Sequence, residues 1–199
     1  VFDFFFSLFA LILLSPVMIF IAIAIKIKSP NGPILFTQQR LGLNGKFFRV
    51  YKFRTMIPDA EAVLAKWLET HPEIRDEYLT YRKLKNDPRI IPIIGEFLRK
   101  TSLDEIPQFF NVLLGDMSVV GPRPYIANEF HNHSRQYVEV ITSVKPGITG
   151  YWQVKTRNKS TFNQRVEMDM EYIKNQTFWL DLKIIFQTVL VMIFKKGAY

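Results

Sequence analysis

VFDFFFSLFALILLSPVMIFIAIAI, residues 1–25, decides how the rest of the chain is read. Only Asp3, Ser7 and the pair Ser15-Pro16 interrupt its apolar run. As a helix rising ~1.5 Å per residue it reaches roughly 37 Å, enough to span the hydrocarbon core of a bilayer. A secretory signal peptide is the competing reading. No basic stretch precedes the apolar run, however, and Lys26 and Lys28 follow it where a small-residue cleavage site would stand. Pro16 removes one backbone hydrogen bond and crowds the preceding turn, which predicts a kink, and Ser15 stands ready to bond the groups set free. Two geometries follow: a kinked helix that crosses the membrane, or one that bends at Ser15-Pro16 and returns to the face it entered from. The physics of the residues favours crossing. The chain has no initiating Met and begins inside this apolar stretch, so it reads as starting partway along a longer polypeptide.

Working outward, residues 26–58 carry Lys26, Lys28, Arg40, Lys46, Arg49, Lys52 and Arg54 without a single acid, within a chain of net charge +8. Cationic segments next to a membrane helix stay on the cytoplasmic side, and this block calls for anions nearby: nucleic acid, acidic headgroups or substrate phosphates. Hydrophobic residues make up 48% of the chain and Phe alone eighteen positions, which excludes disorder and points to packing or lipid contact. There is no cysteine, so a disulfide framework and a Cys-ligated zinc site are both excluded. At 199 residues the chain is read as an anchor over residues 1–28 and one catalytic-sized domain over residues 29–199.

The fold class expected is mainly α with a small β-hairpin. Residues 34–40 and 46–53 are rich in aromatic and β-branched side chains, and Asn44-Gly45 between them is a turn signal. Helices are expected from Pro58 toward Lys83, over residues 95–100, 103–114, 126–140 and 162–174, and over 178–194, the last lying in the membrane interface with Phe178 and Trp179 at headgroup depth. Residues 115–124 and 145–150 read as irregular.

Several patterns carry chemistry. Ser102-Leu103-Asp104-Glu105 has the form of a capping box, in which acids in a first helical turn have a purely structural role; Arg99 and Lys100 just before it, and Gly121-Pro122-Arg123-Pro124 after it, give the acids a second reading beside phosphate-binding cations. Arg123, between two prolines, projects from a stiff backbone suited to bidentate phosphate contact, although an exposed arginine in an ordinary loop looks the same. Lys52 and Arg54 fall on one face of a strand with Phe53 opposite, suiting either anion binding or a solvated edge. No P-loop, dinucleotide fingerprint or HExxH pair occurs, and His131 and His133 read as surface residues. Nucleic acid is disfavoured by the apolar N-terminus.

Taken in order, the motifs resemble the bacterial sugar transferase family, small monotopic phosphoglycosyl transferases that start surface glycan assembly. They are Phe2-Asp3, Ser15-Pro16, Ser29-x-x-Gly32-Pro33, Phe36-x-Gln38-x-Arg40-x-Gly42, Lys52-Phe53-Arg54-Thr55-Met56, Ser102-Leu103-Asp104-Glu105-x-Pro107-Gln108, Val119-Val120-Gly121-Pro122-Arg123-Pro124, Lys145-Pro146-Gly147-Ile148-Thr149-Gly150, Asp169-x-x-Tyr172 and Asp181-Leu182. The resemblance implies a re-entrant helix broken at Ser15-Pro16, against the crossing reading, and a catalytic domain on the cytoplasmic face of the inner membrane. It implies Asp104 as nucleophile and Glu105 as its partner in holding Mg²⁺ or handling protons. Substrate contacts are expected at Arg99, Pro122, Arg123, Pro124, Lys52, Arg54 and Asp169. A UDP-sugar donor, a polyprenyl phosphate acceptor and membrane lipid are the implied partners, with no nucleic acid and with a homodimer left open. The ending Lys196-Gly197-Ala198-Tyr199 is similar to larger members that transfer galactose- or glucose-1-phosphate. The rival reading is a membrane-tethered basic module that binds without chemistry.

Overall fold

The computed structural model describes residues 1–71, 75, 78, 84, 87–130, 135–156 and 160–194. His131, His133 and the C-terminal Lys196-Gly197-Ala198-Tyr199 lie outside the described residues, as do residues 72–74, 76, 77 and 79–83 of the helix expected toward Lys83.

Helix α1, Phe2–Lys28, is continuous through Pro16. Proline leaves the carbonyl four residues back without a donor, and Ser15 Oγ donates to that carbonyl, Ile12 O, at 2.8 Å. One side of α1 is buried through Ser7, Ala10, Leu11, Ile21 and Ile25. The other exposes Phe5, Phe9, Ile12, Phe20 and Ile27, a continuous apolar surface of the kind lipid covers. By length and composition α1 is sufficient to cross a membrane.

Strands β1 (Leu35–Leu41) and β2 (Phe47–Phe53) pair antiparallel from Leu35↔Phe53 to Leu41↔Phe47. The turn between them places Asn44 and Gly45 at φ 55° and 72°, the left-handed region that asparagine and glycine tolerate. Helix α2 (Ala60–Thr70) stops at His71, whose ring stacks on Trp67. Helix α3 (Ile94–Thr101) ends where Ser102 turns left-handed at φ 58°. The expected helix over 103–114, with its capping box, is corrected here. Residues Leu103–Glu105 form a single 3-10 turn, Ser102 makes no side-chain cap, and α4 runs only over Gln108–Leu113. Left-handed Ser102 cannot serve as an extended N-cap, and Pro107 lacks the N–H that would continue a helix from residue 103. The box that does form is Thr161 with Gln164, at the start of α7 (Phe162–Asn175).

The segment read as one helix over 126–140 is a 3-10 turn, Ala127–Phe130, and helix α5, Arg135–Ile141, while α6 covers Tyr151–Lys155. Helix α8, Phe178–Ile193, lies where the interfacial helix was expected and leaves Trp179, Phe186 and Val189 exposed. Sequence patterning missed a second sheet, in which β3 (Ser118–Val120) and β4 (Gly147–Thr149) pair parallel. It requires glycine. A Cβ on Gly121 would lie 2.6 Å from Lys145 O, and one on Gly147 would collide with the Gly121 backbone. Gly147→Ala is therefore expected to lower unfolding stability by about 3 kcal/mol in a denaturant titration of detergent-solubilised protein, because backbone on both sides cannot yield.

Three groups of buried residues hold the elements together. Val50, Val119, Tyr172 and Ile184 join β2, β3, α7 and α8. Ile21 and Ile25 of α1 meet Phe53, Leu98 and Ile106, and Tyr125, Phe130, Ile141 and Val166 form the third. Both ends of α1 are tied to the domain. Asp3 accepts from Ser118 Oγ at 2.7 Å and from Val119 N at 3.2 Å, while Ser29, beyond the other end, accepts from Arg54 at 2.8 Å through Oγ and 2.7 Å through its carbonyl.

Candidate active site

The 3-10 turn at Leu103–Glu105 brings Asp104 and Glu105 into the lining of a cavity of about 680 Å³. Phe6, Phe9, Ala10 and Leu13 of α1 contribute to its lining with Ile185, Val189 and Met192 of α8, and Arg99 and Lys100 line it as well. Helices at opposite ends of the chain thus line a largely apolar space together with an acidic pair.

Partial burial and the neighbouring Glu105 push the Asp104 carboxyl up to about 6, against the pull of Lys52 and Arg99. Lys52 Nζ donates to Glu105 at 2.5 Å. The two carboxylates suit Mg²⁺, which takes one or two carboxylates and completes its shell with water and substrate phosphate; among the described residues no cluster of three acidic or His ligands exists for a metal that needs an all-protein cage.

Beside the pair lies a second charged group that sequence reasoning did not assemble. Glu129 stands 3.7 Å from Arg40 and 3.4 Å from Arg123, and accepts the Ile126 N–H at 2.8 Å. Burial and nearby Arg123 lower the pKa of Arg40, while Glu129 and Glu105 act in the opposite sense, so this group and the acidic pair share one electrostatic neighbourhood. Arg40 also donates to Gln38 Oε1 at 2.6 Å, while its other partners, Pro124 O and Glu129, lie more than 80 residues away, where nothing local in the sequence marks them.

Of the expected substrate contacts, Arg99 and Lys52 sit by the acidic pair and Arg123 is half-buried beside Glu129. The other four, Arg54, Asp169, Pro122 and Pro124, bond groups of the protein itself. Arg54 is 6% exposed, and its guanidinium donates to Ser29, Pro33 O and Met56 O. The strand ends at Phe53, so Arg54 does not share the face of Lys52 but turns inward to join α1 to the hairpin. Asp169 is 0% exposed and accepts from Tyr125 Oη at 2.8 Å and Arg123 N at 3.2 Å, so it touches the Arg123 segment. Burial raises its pKa to about 7, opposed by those two bonds and the Arg123 charge. Pro122 is buried with its carbonyl accepting from Gly147 N, and the Pro124 carbonyl accepts from Arg40; both hold backbone in place.

Fold and site define a membrane-associated, mainly helical protein whose acidic pair faces an apolar cavity built partly from its own membrane helix. The chain belongs to the family described as bacterial sugar transferase, whose sequence model matches residues 1–195. It is 45% identical over 198 residues to an undecaprenyl-phosphate galactose phosphotransferase of Salmonella typhimurium, covering 100% of this chain and 41% of that protein. It is 42% identical over 200 residues to a UDP-glucose:undecaprenyl-phosphate glucose-1-phosphate transferase of Escherichia coli, covering 95% and 39%. To the exopolysaccharide production protein ExoY of Rhizobium meliloti it is 38% identical over 190 residues, covering 96% and 83%. The chain thus spans about two fifths of the first two relatives and most of the third.

Proposed function

We propose that the protein transfers a hexose-1-phosphate from a UDP-sugar to polyprenyl phosphate, releasing UMP, at the cytoplasmic face of the inner membrane. The observation that carries this reading is the shared space of Asp104 and the α1–α8 cavity. An acceptor with a phosphate head and a long apolar tail fits a cavity lined by both charged and apolar side chains, and a polyprenyl chain does not leave lipid. Two of these relatives carry names that give undecaprenyl phosphate and a galactose phosphotransferase or glucose-1-phosphate transferase activity.

In the first step an Asp104 carboxylate oxygen attacks the phosphorus that bears the sugar, and the bond from that phosphorus to the bridging oxygen breaks, so UMP departs with the electron pair. In the second, an oxygen of polyprenyl phosphate attacks the same phosphorus and the carboxylate is restored. Anion repulsion opposes both steps, and Arg99, Lys52 and Arg123 offset it. Asp104 and Glu105 would hold Mg²⁺, which would supply further charge neutralisation.

The membrane helix reads best as re-entrant. If straight, a 27-residue helix is about 40 Å long, and its ends stand on opposite sides of a bilayer core. Yet Asp3 at one end bonds Ser118 and Val119, and Ser29 at the other bonds Arg54, all within one packed domain. A bend at Ser15-Pro16 keeps both ends on one face. The rival basic binding module is weakened by the pairing of its cations: Lys52 and Arg40 meet acids, and Arg54 is buried.

The test is UMP release by protein in detergent or nanodiscs with Mg²⁺, polyprenyl phosphate and UDP-sugars. Release from none of the donors contradicts the reading. In the same assay kcat/KM for the donor is expected to fall as pH drops through about 6, since Asp104 must be ionised to attack. An acid limb near the ordinary carboxylate value would contradict the environment assigned to this side chain.

A further inference from the structure

The segment Pro122-Arg123-Pro124 has a single backbone N–H, because neither proline carries one. Arg123 donates it to Asp169 Oδ2 at 3.2 Å, and Tyr125 donates its hydroxyl to the same oxygen at 2.8 Å. The Tyr125 ring is 1% exposed, packs edge-on against Phe130 and Phe162, and lies beneath the Arg123 guanidinium, 5.8 Å from centroid to Cζ. Asp169 therefore holds both the backbone that carries the Arg123 side chain and the ring on which that side chain rests.

The other side of the segment is fixed independently. Gly147 N donates to Pro122 O at 2.8 Å, Arg40 to Pro124 O at 3.1 Å, and Leu41 N to Tyr125 O at 2.9 Å. Asp169 comes from α7, a long helix started by its own capping box, so the carboxyl is set on a rigid element. Its position is unfavourable in itself. The side chain is 0% exposed, and Oδ1 accepts no hydrogen bond among the described residues. A carboxylate buried with one oxygen unsatisfied adds little to stability. Its clear product is a hold on the backbone of one arginine and on the ring beneath it.

We infer that Asp169 is a positioning residue for the transfer reaction, fixing the Arg123 guanidinium in advance for the donor's diphosphate. This rests on the reading of Arg123 as a donor contact under the proposed function. Pre-set orientation lowers the ordering that a flexible arginine undergoes on binding, so its loss is felt in use of the donor. Acceptor recognition at the apolar cavity is untouched.

The experiment measures UMP release against UDP-sugar and, separately, against polyprenyl phosphate for Asp169→Asn, Arg123→Gln and the double variant. Asp169→Asn is expected to raise the donor KM about 10-fold, leave the acceptor KM unchanged, and add nothing once Arg123 is glutamine. Multiplying losses in the double variant, or equal loss in kcat and both KM values with a lowered Tm, overturns the inference and leaves the donor-contact reading standing. If Arg123→Gln itself leaves the donor KM unchanged, the donor-contact reading fails and the inference with it. Should Asp169→Asn fail to fold, Tyr125→Phe removes one of the two bonds to Oδ2 and is read against Arg123→Gln in the same way, with a smaller expected rise of about 3-fold.

Discussion

Asp104→Asn is expected to reduce UMP release by about 10⁴-fold or more while leaving the protein at least as stable as the parent. The amide keeps the shape of the side chain and its place in the 3-10 turn but cannot displace UMP to form a phosphosugar ester. Stability moves the other way. Burial and Glu105 raise the Asp104 pKa to about 6, above its unfolded value, so the unfolded chain ionises first as pH rises. Folding stability is lost between the ordinary carboxylate pKa and about 6, and stays lost at neutral pH. An uncharged asparagine removes that penalty. Activity lost with Tm held or raised identifies a functional group; activity lost together with Tm would make Asp104 structural.

Arg54→Ala is expected to be the most destabilising single change considered, at roughly 4 kcal/mol. The guanidinium bonds Ser29 Oγ and O, Pro33 O and Met56 O, and no acid accompanies it among its hydrogen-bond partners. Removing it leaves buried Ser29 without its donors, takes a bond from Pro33 O and Met56 O, and frees the end of α1 from the segment that follows β2. Arg54→Lys has one nitrogen where three served, so it recovers only part of the loss. Limited proteolysis in nanodiscs and a thermal melt check this result. A variant that kept parental stability but lost donor binding would restore Arg54 to the substrate site and contradict its role as a joint.

The same two residues show what the sequence could and could not convey. The hairpin was legible because Asn44-Gly45 names its turn, and α1, α3, α7 and α8 because apolar periodicity and length mark them. Alternation misled at Arg54, where the strand had already ended. The form of Ser102-Leu103-Asp104-Glu105 described a capping box as well as an acidic site, and the neighbouring cations and the family resemblance favoured the second; the left-handed φ of Ser102 excludes the box. The β3–β4 pair was invisible because strands of three residues have no period. Its glycines were read as breakers, when they are small so that two backbones can touch. The cavity could not be read at all, since its walls come from residues near 10 and near 190. Asp169 was matched by motif, yet its burial and its bond to the one N–H between two prolines are tertiary facts.

The central claim is a covalent bond between the carboxylate at position 104 and a phosphosugar. Protein incubated with Mg²⁺ and a productive UDP-sugar, without acceptor, is digested after acid quench and examined by tandem mass spectrometry. The account predicts one hexose-phosphate increment on the Asp104 side chain, about one UMP released per protein, and loss of the increment when polyprenyl phosphate is added. Active protein that releases no UMP without acceptor and carries no adduct would contradict it, and would assign the attack on the donor to polyprenyl phosphate itself.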